Sequence, residues 1–351
     1  MQNAEEEGSG WCAVRGARYL RAAIGHRPSA IGHRPSAIGH RLTANGKRQT
    51  ANPLSLTLVV LAAGMSTRFG RLKQLEPVGP SGEALLDYGI FDALRAGFER
   101  MVLVIRPELE ATVRAHCAVR WGAVPIAFAH QTLDQVPGGQ TCPPTRVKPW
   151  GTAHAVLAAA PAVDGPFGVA NADDFYGARA YQDLAAHLRA GGAEHALVGY
   201  RLDATLSPHG GVSRGWCETT GDHLRHVTEI HDIRLDGAHL RGRDPGGILH
   251  TMRPESLVSM NLWGFQLGIL PLLRDAFGAF FATSAAATDG EFLLSNAVGD
   301  LVAAGDARVR VLATDERWMG VTYPDDRETV ADRLRALVAD GRYPAQLEPS
   351  A

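Results

Sequence analysis

A glycine-containing loop with two cationic side chains follows the first apolar run of the chain. Residues 61–73 read LAAGMSTRFGRLK. Gly64 allows the backbone to turn sharply with its amides facing an anion, and Arg68 and Lys73 add positive charge. Neither GxxxxGK[ST] nor GxGxxG is present. The loop therefore indicates a triphosphate site of another kind, and the alternative is an ordinary turn with two solvated cations.

A second segment places two carboxylates at the end of an apolar run. Residues 169–177 read VANADDFYG. Acidic side chains at the end of a buried strand are costly unless they are paired or hold a cation. Mg²⁺ in proteins commonly takes one or two carboxylates together with phosphate oxygens. The segment thus indicates a magnesium site, and the alternative is a helix N-cap by Asp173 or Asp174.

A third segment, Trp150-Gly-Thr-Ala-His154, opens a predicted helix. Gly151 and Thr152 would offer backbone amides and a hydroxyl to a base or a phosphate, although a plain N-cap has the same composition. The three segments together predict one nucleotide site more strongly than any of them does alone.

The elements that must position these segments alternate between strand and helix. Apolar runs predict strands at 54–63, 101–105, 126–129, 167–170 and 196–200, and helical spacing predicts helices at 85–98, 153–160 and 181–190. This alternation is typical of a parallel α/β sheet with right-handed crossovers. The loops that carry chemistry would then follow the carboxyl ends of strands, where such sheets bind ligands.

The second half of the chain is less regular. Strands are predicted at 211–218, 224–230, 257–265 and 309–313, and helices at 271–281, 291–304 and 327–340. Mixed pairing at one edge of the parallel core fits this pattern. The connection 132–150 is long for a loop, which favours a functional flap.

The first 53 residues differ in composition from the rest. They carry eight basic and three acidic residues and repeat the unit AIGHRPS, whereas residues 54–351 have a net charge of -7. Each repeat contains Gly and Pro and a single Ile, so that no apolar seam forms. We expect 1–53 to be a disordered extension that turnover does not need, with a phosphate-binding basic tail as the alternative. We expect 54–351 to form one domain.

Composition excludes several classes of protein. The 351 residues contain 35 Lys and Arg against 37 Asp and Glu, so that no general attraction to nucleic acid or to anionic lipid is expected. No apolar run is long enough to span a membrane. Four widely spaced cysteines without CxxC exclude a cysteine-based zinc site and suit the cytoplasm.

Taken together, these segments resemble the sugar-1-phosphate nucleotidylyltransferases, the pyrophosphorylases that make nucleotide sugars. LAAGMSTRFGRLKQL is similar to their LAAGxGTRx…PK loop, NADDFYG to their GD metal segment, and GTAHA to a segment of the N-acetylglucosamine-1-phosphate uridylyltransferases. Weaker similarities follow in the family's order at residues 210–212, 227–229, 260–264 and 318–326. The resemblance covers about 56–344.

The resemblance implies a fold and a reaction. The fold is a Rossmann-like nucleotide-diphospho-sugar transferase (GT-A-like) domain, an α/β fold with a mixed, mostly parallel central sheet and helices on both faces. The reaction joins an NTP to a sugar 1-phosphate and releases pyrophosphate, through Mg²⁺-dependent in-line attack on the α-phosphate. A missing hexapeptide repeat means that the acyltransferase domain of bifunctional relatives is not expected.

The resemblance also assigns roles to residues. The implied nucleotide-binding residues are Ala63, Gly64, Met65, Ser66, Gln131, Gly151 and Thr152. The implied catalytic residues are Arg68, Lys73 and Asp173, of which Asp173 is the Mg²⁺ ligand. The implied sugar-phosphate-binding residues are Gly211, Glu229 and Asn261.

Three departures from the family pattern matter. Ser66 replaces a glycine, as in some cytidylyltransferases, so that UTP or dTTP is favoured but CTP stays open. Gly320 and Thr322 stand where a second metal carboxylate is common, which leaves Asp173 alone. No lysine follows Glu229, and Arg214 and Arg253 are the two candidates for its charge.

Two alternatives belong to other classes. One is a glycosyltransferase of the GT-A type, which would normally show DxD and lack the Arg68–Lys73 loop. The other is a non-catalytic regulatory protein that binds a nucleotide sugar. The sequence leaves the sugar open, and also another phosphorylated acceptor such as choline phosphate, as well as the oligomeric state.

Overall fold

The first strand shows why the parallel half of the sheet forms. In the computed structural model, which describes residues 55–64, 73–283, 289–321, 323 and 325–348, every residue of Thr57–Leu61 is buried. Leu58 and Val60 pack in one apolar cluster and Val59 and Leu61 in another. Alternate side chains of a strand point to opposite faces, so a continuous apolar run fits a strand that is covered on both sides.

Thirteen strands lie within the described residues. They are β1 Thr57–Leu61, β2 Arg100–Ile105, β3 Ile126–His130, β4 Phe167–Asn171, β5 Asp174–Phe175, β6 His195–Arg201, β7 Val212–Thr220, β8 His223–Asp236, β9 His239–Arg243, β10 Leu249–Met252, β11 Leu257–Phe265, β12 Val309–Thr314 and β13 Met319–Gly320.

The large sheet is mixed. Its strand order is β10-β9-β8-β12-β6-β11-β4-β1-β2-β3, and β7 pairs with β11 and β8. The strands β4, β1, β2 and β3 are parallel. β11 is antiparallel to both β4 and β6, and β12 is parallel to β6. β5 and β13 form a separate small sheet.

Helices cover both faces of the sheet. They are α1 Leu85–Ala96, α2 Glu110–Trp121, α3 Thr152–Ala159, α4 Ala178–Ala190, α5 Ile269–Phe281, α6 Leu294–Ala304 and α7 Asp326–Ala339. One apolar cluster contains the buried residues of α1, α2, α4 and α7, and the other contains those of α3, α5 and α6. The predicted α/β class, with a mixed sheet and helices on both faces, is confirmed.

The structure differs from the prediction mainly in the peripheral elements. Helix α2 and strands β9 and β10 were not predicted, because their burial patterns are sparse: only Val113, Cys117 and Trp121 of α2 are buried. Strand β8 continues six residues beyond 230, and the helix predicted from 291 begins at Leu294. Residues 132–150 contain no helix or strand, as predicted for a long connection.

Two predictions concern segments beyond this description. Residues 1–53 lie outside the described residues, and so does most of the loop 61–73. Among the helices that the structure does describe, none is both long enough and apolar enough to cross a membrane.

Candidate active site

The site forms where two neighbouring parallel strands end together. Leu61, the last residue of β1, is in register with Asn171, the last residue of β4. The N–H of Ala172 donates to the carbonyl of Leu61 over 3.0 Å. The loop that begins at Ala62 and the acidic segment 172–174 therefore leave the sheet side by side, at the edge where open α/β sheets bind ligands.

The first cavity, of about 380 Å³, contains six of the predicted residues. These are Ala63, Gly64, Gln131, Gly151, Thr152 and Asp173. They come from four separate segments of the chain, and the sheet and helix α3 bring them together. The described residues among those implied for the nucleotide thus line a single cavity, and Asp173, the predicted metal ligand, lines it as well.

The second cavity, of about 330 Å³, adjoins the first. It contains the two predicted sugar residues Glu229 and Asn261, together with Asp174 and Arg214. Thr152 and Asn171 line both cavities. Ligands in the two cavities would therefore share contacts with these two residues.

Gly151 allows the backbone to pass very close to a neighbouring segment. Its φ of +108° belongs to a region that L side chains rarely adopt. A Cβ at this position would lie 2.6 Å from the carbonyl oxygen of Phe292 and 2.8 Å from its nitrogen. The Ala153 N–H donates to the Phe292 carbonyl, and the Phe292 N–H donates to the Trp150 carbonyl. These contacts hold the start of α3 in the wall of the first cavity.

Thr152 has a structural role besides its place in both cavities. Its hydroxyl oxygen accepts the N–H of Leu294, the first residue of α6, over 2.8 Å. The hydroxyl hydrogen stays available to a ligand. Gly151 is the N-cap of α3, without a side-chain cap, so that the segment has the plain N-cap that the sequence also allowed.

Asn261 lies in an unusual backbone conformation at the second cavity. It has a φ of +65°, and the pairing of β11 with β6 shifts register between Ser259 and Trp263. Its Nδ2 donates to Asn171 Oδ1 over 2.7 Å, and its Oδ1 accepts from the Trp263 indole over 2.9 Å. Strain of this kind persists where surrounding contacts fix it and is common at binding sites.

The two aspartates of the acidic segment face different cavities. Asp173 lines the first and Asp174 lines the second. Asp174 is buried, and its Oδ2 accepts from Asn171 Nδ2 over 2.9 Å and from the Tyr176 hydroxyl over 3.2 Å. The sequence offered Asp174 only the alternative role of a helix N-cap, whereas the N-cap of α4 is Gly177.

The closing segment reaches the acidic segment. In the small sheet, Gly320 pairs with Asp174 and Met319 with Phe175. A Cβ at Gly320 would lie 3.1 Å from Asp174 Oδ1. Gly320, one of the two positions considered for a second metal carboxylate, is thus adjacent to Asp174, and the other, Thr322, lies outside the described residues.

The structure distinguishes between the two candidate arginines. Arg214 is buried, lines the second cavity and stacks over the Trp318 ring at 4.6 Å. Burial lowers its pKa to about 10, and it stays charged at neutral pH. Arg253 lies at the surface, its side chain 77% exposed, and pairs with Glu255. Only Arg214 can meet a ligand in the second cavity.

Gly211 is not where the prediction placed it. It lies outside both cavities, and its carbonyl accepts the Tyr323 hydroxyl over 2.6 Å. A Cβ at Gly211 would clash with the Asp232 carboxylate. Glycine is therefore required here by a contact within the protein and not by a ligand. Its neighbours Ser213 and Arg214 reach the cavity instead.

The structure does not test four of the predicted site residues, because they lie outside the described residues, Lys73 with its side chain alone. These are Met65, Ser66, Arg68 and Lys73, and their assignments stay predictions.

Two charged residues of the first cavity had not been predicted. Lys148 and Glu291 line it and form an ion pair of 3.1 Å. Lys148 belongs to the connection 132–150. The unusual length of that connection was the feature of the sequence that could have pointed to a site residue there. Glu291 had no signal in the sequence, because contacts that are distant in the chain, such as those of Phe292 with Gly151 and of Leu294 with Thr152, bring its segment to the site.

The fold places two adjoining cavities at the ends of its parallel strands, where open α/β sheets bind ligands, and comparisons with known proteins indicate the class of enzyme. Residues 58–217 match the family model of the MobA-like NTP transferase domain. A comparison with curated proteins found no match. This region is therefore similar to a MobA-like NTP transferase domain, and the predicted enzyme class, a nucleotidyltransferase, is confirmed.

A solved structure extends the similarity over most of the chain. The inositol-1-phosphate CTP transferase from T. maritima superposes with a TM-score of 0.54 at 13% sequence identity. The match covers 80% of this chain and 97% of that one. At this identity the likeness concerns the fold.

Proposed function

We propose that this enzyme joins a nucleoside triphosphate to a sugar 1-phosphate, giving a nucleotide sugar and pyrophosphate, within a Rossmann-like, GT-A-like domain. The observation that carries the proposal is the division of the site into two adjoining cavities. The first contains the residues implied for the nucleotide, and the second contains those implied for the sugar. A reaction that joins two bound molecules needs this arrangement.

The chemistry requires little more than positioning and charge. A sugar phosphate is already an anionic nucleophile, so neither a general base nor a covalent intermediate is needed. The difficulty is to bring one anion onto another, and preorganised positive charge removes it. We assign Arg214 to the acceptor phosphate, Arg68 and Lys73 to the triphosphate, and Lys148 as further positive charge in the first cavity.

Asp173 fits a magnesium site of the sparse kind. Within the described residues, no group of three or more His, Cys, Asp or Glu side chains could hold a metal ion. Mg²⁺ is commonly held by one or two carboxylates while phosphate oxygens and water complete its shell. Asp173, half-buried in the wall of the first cavity, can supply one such carboxylate. A bound Mg²⁺ would neutralise charge on the phosphates of the triphosphate.

The lining of the second cavity favours an acceptor with several hydroxyls. Its polar groups are the carboxylates of Asp174 and Glu229, the amides of Asn171 and Asn261, and the hydroxyls of Thr152, Ser213, Ser259 and Ser295. Its aromatic residue, Trp318, is covered by the Arg214 guanidinium. A quaternary ammonium such as choline is usually bound by an aromatic cage. We therefore assign a sugar or polyol phosphate and not choline phosphate.

Pyrophosphate release across a panel of NTPs and sugar 1-phosphates tests the proposal. We expect release only when NTP, sugar phosphate and Mg²⁺ are all present. Pyrophosphate in the absence of any acceptor, or silence across the panel despite binding of a nucleotide sugar, would contradict it; the second result would favour a regulatory protein.

Asp173→Asn tests the metal assignment, with Asp134→Asn as its matched control. Asp134 is an exposed aspartate outside both cavities. Losing a preorganised charge at the reacting phosphate typically costs ~3 kcal/mol, or roughly 100-fold in rate. We expect that loss for Asp173→Asn and none for Asp134→Asn. Near-normal turnover by Asp173→Asn would refute the assignment.

A further inference from the structure

His154 lies behind the first cavity and contacts one of its lining residues. The side chain is 2% exposed and packs against the Phe277 ring, with 4.9 Å between ring centroids. Its Nε2 lies 2.8 Å from the carbonyl oxygen of Gln135, and its Nδ1 lies 3.1 Å from Gln131 Nε2. Gln131 Nε2 also lies 2.9 Å from the carbonyl oxygen of Gly151.

The chemistry of these groups fixes the direction of every hydrogen bond. The carbonyls of Gln135 and Gly151 can only accept, and an amide NH₂ can only donate. His154 must therefore carry its hydrogen on Nε2 and accept at Nδ1. Gln131 must point its NH₂ away from the cavity, with one hydrogen on Gly151 and the other on His154. Burial lowers the pKa of His154 to about 4, which keeps the ring neutral and this arrangement intact at neutral pH.

The atom that Gln131 can offer to a ligand is then Oε1, a hydrogen-bond acceptor. Gln131 lines the first cavity next to Gly151 and Thr152, where helix α3 begins. The N–H groups in the first turn of a helix have no partners within the helix. In α3 the Ala153 N–H donates to the Phe292 carbonyl, so the donor that lies at the cavity is the N–H of Thr152. An acceptor beside such a donor matches uracil or thymine, in which the N3–H donor is flanked by acceptor oxygens. In cytosine the corresponding N3 is itself an acceptor and would face Oε1.

We propose that His154 fixes the orientation of the Gln131 amide and thereby sets the preference of the enzyme for UTP or dTTP over CTP. His154 is a positioning residue in this scheme, because it acts on the base through Gln131. The inference rests on the proposed function, since it concerns the base of the same triphosphate. Without His154, the amide loses one of the two acceptors that orient it and can rotate to present its NH₂ to cytosine N3.

Two substitutions separate orientation from packing. His154→Phe keeps an aromatic ring beside Phe277 but has no acceptor. His154→Asn loses the ring but can place an acceptor near the position of Nδ1. A merely structural role for His154 predicts that Phe is the milder change. A role in orienting Gln131 predicts instead that Asn is the milder change, as judged by the ratio of kcat/KM for UTP or dTTP to that for CTP.

The test measures kcat/KM for UTP, dTTP and CTP with one sugar 1-phosphate, alongside thermal unfolding of each variant. We expect the wild type to prefer UTP or dTTP over CTP by at least about tenfold. We expect His154→Phe to reduce that ratio at least about fivefold and His154→Asn to retain it, whatever their melting temperatures. A wild-type preference for CTP, an unchanged ratio in His154→Phe, or a collapsed ratio in His154→Asn would overturn the inference.

A second measurement does not depend on turnover. Nitrogen-15 NMR of the wild type, with His154→Phe used to assign the ring signals, reports which nitrogen carries the hydrogen. We expect the Nε2–H form at pH 7, and the Nδ1–H form would overturn the inference. If no NTP supported turnover, the proposed function would fail while this measurement still decided the orientation of Gln131.

Discussion

Asn261 donates a hydrogen bond from Nδ2 to Oδ1 of Asn171, over 2.7 Å. Asn171 in turn donates from its Nδ2 to Asp174. The bond joins the bulged strand β11 to the end of β4, at a side chain that lines both cavities. The wall between the two cavities is thus a chain of oriented amides that ends on a buried carboxylate.

Replacement of Asn171 should affect both substrates. We expect Asn171→Ala to lower kcat/KM for the NTP and for the sugar phosphate by about 10- to 100-fold, since hydrogen bonds to charged groups contribute roughly 1.5–3 kcal/mol. Asn171→Asp should be at least as damaging, because a carboxylate would face Asp174 where an amide now donates. Steady-state kinetics with each substrate varied in turn measures this, and a loss confined to one substrate would argue against a shared wall.

Arg214 should govern the affinity for the acceptor. We expect Arg214→Gln to raise KM for the sugar phosphate about 10- to 100-fold, because a charge-assisted contact with phosphate is lost, with a smaller effect on KM for the NTP. Arg214 also donates to the Thr205 side chain and carbonyl, so a melting curve must accompany the kinetics. Arg253→Gln, at an exposed arginine, is the matched control, and equal effects of the two substitutions would refute the assignment.

The parallel half of the fold and the first cavity could be predicted from local signals. Continuous apolar runs mark strands that are covered on both faces, and the loops that follow β1 and β4 carry the glycine and the carboxylates. Since the carboxyl ends of parallel strands share one edge, Gly64 and Asp173 had to be close. The structure places both in the wall of the first cavity.

The rest of the site depends on contacts that are distant in sequence. Glu291 lies in the first cavity beside Phe292, whose backbone approaches Gly151 so closely that a Cβ there would not fit. Arg214 lies on β7 and contacts Trp318 from the distant closing segment, whereas Arg253 lies in the exposed turn between β10 and β11. Gly211 was assigned to the ligand because glycine marks a close approach, but the approaching groups are Tyr323 and Asp232. A glycine in the sequence indicates that another group lies close to the backbone, but it does not identify that group.

Gly151 should not tolerate a side chain. We expect Gly151→Ala to lower both stability and turnover, because its Cβ would lie within 2.9 Å of three backbone atoms of Phe292 and because φ is +108°. Backbone strain of this kind costs on the order of 1–3 kcal/mol before any contact is counted. Chemical denaturation and pyrophosphate release measure the two effects.

The matched control for that substitution is Gly138→Ala, in the long connection 132–150 that precedes Gly151. A Cβ at Gly138 would have nothing within 4 Å, and its φ is not positive. We expect Gly138→Ala to leave both stability and turnover unchanged. Equal stability of the two variants would show that the segment at Phe292 moves away at little cost, and that the start of α3 is less firmly held than its hydrogen bonds indicate.

Stability should depend on pH through a buried carboxyl far from both cavities. Asp92 accepts the Tyr343 hydroxyl over 2.7 Å, and its other oxygen is buried without a hydrogen-bond partner among the described residues. Burial raises the pKa of Asp92 from 3.8 to about 7. Between about pH 4 and pH 7 the native state therefore holds a proton that the unfolded state has lost, and the free energy of unfolding falls as pH rises.

Asp92→Asn removes this dependence while it keeps an acceptor for Tyr343. We expect urea unfolding from pH 4 to pH 8 to show that the free energy of unfolding of the variant, relative to that of the wild type, increases as pH rises. The increase should be on the order of 4 kcal/mol across this pH range. His154 and His195, whose pKa values burial lowers to about 4, act in the opposite direction. They are present in both proteins and cancel in the difference, so a difference independent of pH would show that the Asp92 carboxyl is ionised in the native state.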